Sequence, residues 1–216
     1  MTQQPGELPE RLASRLAQPL PGVMANSRFE PVPRLGRRYD LIPAEARSAA
    51  VLLLLYPLAG CWHLPLTLRP GALPLHGGQI SLPGGAVELG ESSREAAVRE
   101  FHEELGAAGH PIEILGRLSP IYVEVSNFRV DPWVAVTASR PPMQSNPAEV
   151  EQLLEVPLVH LTDPANFGCH QRTRRGQPYS APHFSWAEYQ IWGATCMILG
   201  EFVTLLEEPA LREVVI

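Results

Sequence analysis

With 216 residues, 45% of them hydrophobic, the chain is long enough for one domain with a sizeable core. A charged fraction of 19% and 23 prolines exclude a disordered chain and point to a compact body with many stiff connections. The formal net charge of −6 excludes general electrostatic attraction to nucleic acid or an anionic membrane, so an anionic ligand needs local help from a metal or a few placed arginines.

In chain order, the opening MTQQPGELPE has neither the basic nor the apolar section of a signal peptide. Residues 8–17 carry Leu8, Leu12 and Leu16 with charges between them and predict a short amphipathic helix. Prolines at 19, 21, 31 and 33 follow, so residues 1–45 read as an N-terminal helix with an irregular extension and residues 46–216 as the main domain. Residues 48–56 are an unbroken apolar run, as expected of a central strand buried on both faces. The longest apolar run, 49–55, is far too short to span a bilayer, and the expectation is a soluble, cytoplasmic protein. Residues 62–68 are a second strand, with Trp62, Leu64, Leu66 and Leu68 on one side, and residues 70–85, dense in Gly and Pro, read as a loop.

The clearest helix covers residues 92–105. Ser92 or Ser93 can cap it, Glu95 lies in its first turn, Gly106 follows its end, and Ala97, Phe101 and Leu105 make an apolar stripe. Strands are expected over 112–118, 121–125 and 128–137, with a turn at Ser126-Asn127. Residues 139–147 then read as a Pro-rich loop, 148–154 as a short helix, 171–180 as a hairpin or loop and 189–207 as a long packed helix. Cys61, Cys169 and Cys196 are scattered without a CxxC pair, which argues against a disulfide framework or a structural zinc. Strands, a helix, more strands and a closing helix make a mixed α/β sandwich.

Glu100, Glu103 and Glu104 are spaced by three and four, so their carboxylates share one face of the helix. Like charges this close repel. A hard divalent cation, Mg²⁺ or Mn²⁺, is the natural compensation, because it takes carboxylate and carbonyl oxygens and leaves positions for water and substrate phosphate. A solvated acidic face partnered by Arg94 and Arg99 is the bland alternative. The loop Pro83-Gly84-Gly85 ahead of the helix favours the ion, since its backbone can approach an ion and phosphates closely.

Residues 85–107, GAVELGESSREAAVREFHEELGA, resemble the signature box of the Nudix family. Gly85, Glu91, Arg99, Glu100, Phe101, Glu103, Glu104, Gly106 and Ala107 fill its specified positions at fixed spacing, Ala107 being smaller than the usual aliphatic residue. The resemblance implies a Nudix-type α/β/α sandwich with a mixed sheet over residues 46–216, and hydrolysis of a nucleoside diphosphate linked to another moiety. It implies metal ligation by Glu100, Glu103 and Glu104, joined by the carbonyl of Gly84. It also implies that Arg99 pairs with Glu91 to hold loop and helix together; an ordinary surface pair of Arg99 with Glu95 or Glu103 is the alternative.

Upstream, LTLRPGALPLHGGQISLPGG over residues 66–85 resembles the extra motif of the coenzyme A pyrophosphatase branch. Leu66, Thr67, Arg69, Gly78, Pro83, Gly84 and Gly85 match it, whereas Pro70, Pro74 and Leu82 stand where Ser, Arg and Phe are usual. Glu149-Val150, the Val156–Leu161 stretch and Ile191-Trp192-Gly193 are similar to the same branch. The implied binding set toward substrate is Arg69, Gly84 and Gly85, and the implied catalytic set is Glu103, Glu149 and Arg99. Either Glu103 or Glu149 accepts the proton of the attacking water, although Glu149 reads equally as a helix N-terminal glutamate after Pro147. For coenzyme A the products would be 4′-phosphopantetheine and adenosine 3′,5′-bisphosphate. Pro74 keeps ADP-ribose, a dinucleotide or a nucleoside triphosphate open as substrates, and a non-catalytic nucleotide-binding module is the reading from another class. His102 reads as a surface residue and Arg172, Arg174 and Arg175 as a solvated loop, with a phosphate contact as their alternative. Homodimers are common in this fold family.

Overall fold

The computed structural model describes residues 7–22, 27–35, 41–72 and 76–215. Pro74 lies outside these residues.

The body is organised around β1 (Arg47–Leu58), whose residues from Leu52 to Tyr56 are all buried. Alternation along the strand sends them to two different cores. Leu52, Leu54 and Tyr56 meet Ala96, Ala97, Phe101 and Leu105 of α2 (Ser93–Leu105) on one face. Leu53 and Leu55 join the larger core on the other face, with α1 (Glu7–Leu16), α4 (Gly193–Leu206) and α5 (Pro209–Val215). Burial of each such leucine contributes about 1.5–3 kcal/mol, so the apolar run that marks β1 in the sequence also fastens the layers to it.

The remaining strands are β2 (Cys61–Leu68), β3 (Ile80–Ser81), β4 (Gly84–Ala86), β5 (Glu113–Arg117), β6 (Ile121–Val123), β7 (Phe128–Val136) and β8 (Gln152–Pro157). With β1 they form an eight-stranded mixed sheet in the order β3-β2-β1-β7-β5, with β4 added to β1, β6 to β7 and β8 to β2. β1 runs parallel to β7, from Arg47 opposite Phe128 to Leu55 opposite Val136, and antiparallel to β2 and β4. A second, three-stranded sheet follows the short helix α3 (Leu158–Thr162) and consists of β9 (Phe167–Arg174), β10 (Gln177–Trp186) and β11 (Tyr189–Trp192) in the order β11-β10-β9. The α/β/α sandwich with a mixed sheet is thus present. No helix among the described residues is long and apolar enough to cross a membrane.

Three elements differ from their sequence expectation. The Gly- and Pro-rich stretch 70–85 contains β3 and the start of β4, because its backbone completes ladders with β2 and β1. Residues 148–154 form no helix; a turn leads into β8, in which Leu154 and Val156 are buried opposite Leu66 and Leu64 of β2. An apolar pattern this short fits either period, and the available partner strand decides. The long helix expected from residue 189 begins only at Gly193, whose φ of 68° breaks the chain direction after β11 has paired with β10. α3, α5, the start of β9 and the end of β10 had no clear signal. α1 does form as expected, and Leu8, Leu12 and Leu16 are buried in the larger core.

Both ends of α2 are closed as its sequence predicts. The Ser92 hydroxyl accepts from the Glu95 N–H at 3.3 Å, and the Glu95 carboxylate accepts from the Ser92 N–H at 2.8 Å, a reciprocal capping box. Gly106 ends the helix at φ 64°. Ser92→Ala is expected to lower stability by about 1 kcal/mol, read as a melting temperature lower by roughly 2–4 °C.

Candidate active site

Two glycines bring the loop before α2 against the sheet. In β4, Gly84 pairs with Val51 and Gly85 with Ala50. A Cβ on Gly84 would stand 2.2 Å from the carbonyl oxygen of Ala50, and one on Gly85 2.4 Å from Oε1 of Glu100. Only glycine allows both approaches, so the β4 backbone lies directly beneath the carboxylates of α2.

The other end of the helix recruits a second loop. The last carbonyls of an α-helix lack partners within it. Here the Gln144 N–H donates to the Leu105 carbonyl at 2.7 Å and the Asn146 N–H to the Glu104 carbonyl at 2.8 Å. This attachment carries Glu149 to the helix face. One carboxylate oxygen from each of Glu100, Glu104 and Glu149 lies within 4.8 Å of the others. Because residues 147–149 form a turn and not a helix start, Glu149 has no helix dipole to satisfy.

Glu103 is directed elsewhere. Its half-exposed carboxylate accepts from Arg99 Nη1 at 2.8 Å, and it is not one of the converging three. Arg99 spends its whole guanidinium on this region. Nε and Nη2 donate to the two oxygens of Glu91 at 3.1 and 2.8 Å, Nη2 also to the Ala86 carbonyl at 3.0 Å, and Nη1 also to Glu100 at 3.0 Å. The pairing with Glu91 is therefore present together with the i, i+4 pair to Glu103. A forked donor of this kind fixes loop and helix as one unit, and it holds the Glu91 carboxyl below the usual carboxylate range.

Glu104 is 2% exposed, and its Oε2 is buried without any hydrogen-bond partner. Burial pushes its carboxyl up to about 8; Arg69 and the Gly84 N–H oppose that shift, while Glu100 and Glu149 add to it. Burial likewise raises Glu100, against the pull of Arg99. Three converging carboxylates, one of which carries a buried oxygen without a partner, gathered where like charges disfavour ionisation, are the donor set that suits a hard divalent cation. Arg69 completes the surroundings, with its Nε buried and unpartnered.

These groups open into a cleft of about 990 Å³ lined by Arg69, Gly84, Gly85, Glu100, Glu104 and Glu149. Arg172, Arg174 and Trp192 of the second sheet line it too, a position that for the two arginines fits the phosphate-contact alternative better than a solvated loop. The signal was the Arg-Thr-Arg alternation, which in a strand puts both arginines on one face. Arg175, in the hairpin turn, is exposed as expected. His102 is half-buried, with an unpartnered Nδ1, and does not line the cleft. The three cysteines are free.

The family model of the NUDIX domain matches residues 49–174, more than half of the chain and the whole carboxylate site. The chain belongs to the Nudix family. Among curated proteins it is 33% identical over 159 residues to the "Uncharacterized Nudix hydrolase NudL" of Photorhabdus laumondii, covering 72% of this chain and 82% of that one. A Salmonella paratyphi B protein of the same description is 35% identical over the same share of this chain and 80% of its own. A solved MutT/nudix family protein from Enterococcus faecalis shares the fold, with a TM-score of 0.50 at 15% identity over 82% of this chain and 70% of that one. The chain is accordingly a Nudix pyrophosphohydrolase, acting on pyrophosphate bonds in nucleotide derivatives. The Nudix box accounts for Glu91, Arg99, Glu100, Glu103 and Glu104; Glu149 and the second-sheet residues are contributed from beyond it.

Proposed function

We propose that this Nudix hydrolase cleaves the pyrophosphate bond of coenzyme A or a coenzyme A-like compound, with Mg²⁺ or Mn²⁺ held by Glu100, Glu104 and Glu149 and by the carbonyl of Gly84. The observations that carry the metal assignment are the convergence of the three carboxylates and the burial of Glu104 Oε2 without a hydrogen-bond partner. When bound, such a cation polarises a phosphoryl oxygen and neutralises charge on the leaving group.

The chain's own residues do the rest. Arg69, with an unused buried donor, binds a phosphate oxygen. The bare backbone of Gly84 and Gly85 lets the substrate phosphates come close, since no side chain intervenes. Arg99 positions Glu100 and Glu103 through its hydrogen bonds. Glu103 and Glu149 are the two candidates to accept the proton of the attacking water. Glu149 lines the cleft beside Glu100 and Glu104, whereas Glu103 is half-exposed and bound to Arg99.

Support for coenzyme A comes from the matched upstream stretch 66–85. That segment leaves β2 at Leu68 and carries Arg69 into the cleft beside Glu104. The cleft volume of about 990 Å³ is at the upper end for small-molecule sites, room enough for a long, two-part substrate.

A substrate panel with Mg²⁺ or Mn²⁺ tests the reading. Comparing kcat/KM for coenzyme A, acetyl-coenzyme A, ADP-ribose, NADH and diadenosine polyphosphates should put coenzyme A or its thioester first. Negligible coenzyme A turnover beside a good alternative replaces the substrate and keeps the chemistry. Tight nucleotide binding with no turnover of any member would leave a binding module instead.

A further inference from the structure

The reaction proposed above uses the carboxylates and Arg69. It makes no use of the wall that the second sheet contributes to the same cleft, whose chemistry is of the opposite sign. Arg172 and Arg174 lie two residues apart on β9 and both line the cleft, as does Trp192 at the end of β11. The guanidinium carbon of Arg172 stands 3.8 Å from the centre of the Trp192 ring. Stacking fixes this planar group while leaving its N–H donors free, because the contact is made through its face. Arg172 pairs with no carboxylate among the described residues. Arg174 is held by Glu124, with Nη2 at 2.7 Å from Oε2, and its side chain is 16% exposed. Its Nη1 is nevertheless buried without a hydrogen-bond partner. A buried charged donor left without an acceptor is costly, and such groups are explained where a ligand completes them. The third arginine of this hairpin, Arg175, shares the same Glu124 at 3.7 Å.

We propose that Arg172 and Arg174, with Trp192 as their backing, form a subsite for a phosphomonoester that the substrate carries in addition to its pyrophosphate. The inference rests on the pyrophosphatase reading of the cleft and narrows its substrate class to nucleotides bearing a further phosphate. An anionic group is favoured over a stacked base because Arg172 already covers a face of the Trp192 ring, and because the donors available are forked guanidiniums suited to phosphate oxygens. The chain as a whole carries a formal net charge of −6, so these arginines attract an anion locally and not through a general field. The cleft is then bipolar, with carboxylates for the cation-bound pyrophosphate and arginines for the monoester.

Calorimetric titration of the full chain in EDTA with adenosine 3′,5′-bisphosphate and with adenosine 5′-monophosphate tests the subsite. The bisphosphate is expected to bind about tenfold more tightly or better, and Arg172→Ala and Arg174→Gln are each expected to bring that ratio down toward one. Arg172→Lys, which keeps the charge and loses the fork, should give an intermediate ratio. A wild-type ratio near one overturns the proposal without reference to any variant. So does a ratio preserved in both substitutions, or an equal loss of both probes, which is what a purely structural role would produce. Neither probe contains a pyrophosphate bond. Failure of the catalytic reading, seen as absent turnover, therefore leaves this ratio readable, and failure of the subsite leaves turnover intact.

Discussion

Replacing Glu104 by Gln is expected to lower kcat/KM for pyrophosphate hydrolysis by about three orders of magnitude, equivalent to roughly 4 kcal/mol of transition-state stabilisation. The same substitution should leave the metal-free fold as stable as the parent or more so. In the metal-free chain, burial pushes the Glu104 carboxyl from 4.5 up to about 8. A carboxyl whose folded pKa lies above its unfolded value keeps its proton in the folded chain while the unfolded chain releases it. Its contribution is therefore complete below about pH 4.5, falls as pH rises toward about 8, and stays low above that. Gln does not ionise, so the variant loses that fall. Arg69, deprived of its partner charge, trims the gain. A melting temperature a few degrees above the parent's is expected near pH 8 in EDTA, for a change of about 1–2 kcal/mol. Added Mg²⁺ or Mn²⁺ should raise the melting temperature of the parent and not that of the variant. Full Mg²⁺-dependent activity in the Gln protein would remove Glu104 from the metal site. A variant that is merely unfolded would be exposed by the same melting curve.

The second large effect separates two neighbouring glycines. Gly84→Ala puts a methyl group 2.2 Å from the Ala50 carbonyl oxygen and 2.6 Å from the Val51 Cα, at a residue with φ 154°. Those atoms belong to β1, which is held between β4 and β7 and cannot retreat. The expected cost is about 2–4 kcal/mol, seen as a melting temperature lower by roughly 5–15 °C. Gly85→Ala meets the carboxyl group of Glu100 at 2.4 to 2.7 Å, the movable end of a side chain. Glu100 can swing away, so the fold survives and the carboxylate cluster does not. For that variant kcat/KM is expected to fall by about two orders of magnitude, with a melting temperature within roughly 3 °C of the parent's. Equal thermal loss in the two variants would mean that β1 yields at Gly84 or that Glu100 is clamped at Gly85. Either result contradicts the packing described here.

How much of this was legible in advance depends on how far apart in the chain the cooperating groups lie. The α2 helix was readable in full: its capping box, its Gly106 stop, its buried stripe of Ala97, Phe101 and Leu105 and its row of carboxylates are all matters of spacing within a few turns. β1 was readable because a doubly buried strand needs an unbroken apolar run. The 148–154 stretch was not. Its pattern is compatible with a helix, and only the pairing with β2, over eighty residues earlier, makes it a strand. The same holds for β11, which lost its apparent helical character to the ladder with β10.

The site divides along the same line. Sequence by itself determined the chemistry: carboxylates at i, i+3 and i+4 on one helix face, an arginine one residue before them and glycines ahead of the helix, because those relations depend only on helical periodicity and on local backbone freedom. Tertiary structure alone decided which carboxylates converge. Glu103 is turned to Arg99, and Glu149 is brought in by a loop that satisfies the open carbonyls at the end of α2. It alone also set Arg172, Arg174 and Trp192 in the wall of the cleft. Apart from the local Glu103–Arg99 pair, these contacts join residues about 40 or more positions apart, and such distances are closed by strand pairing and core packing, whose partners no local pattern names.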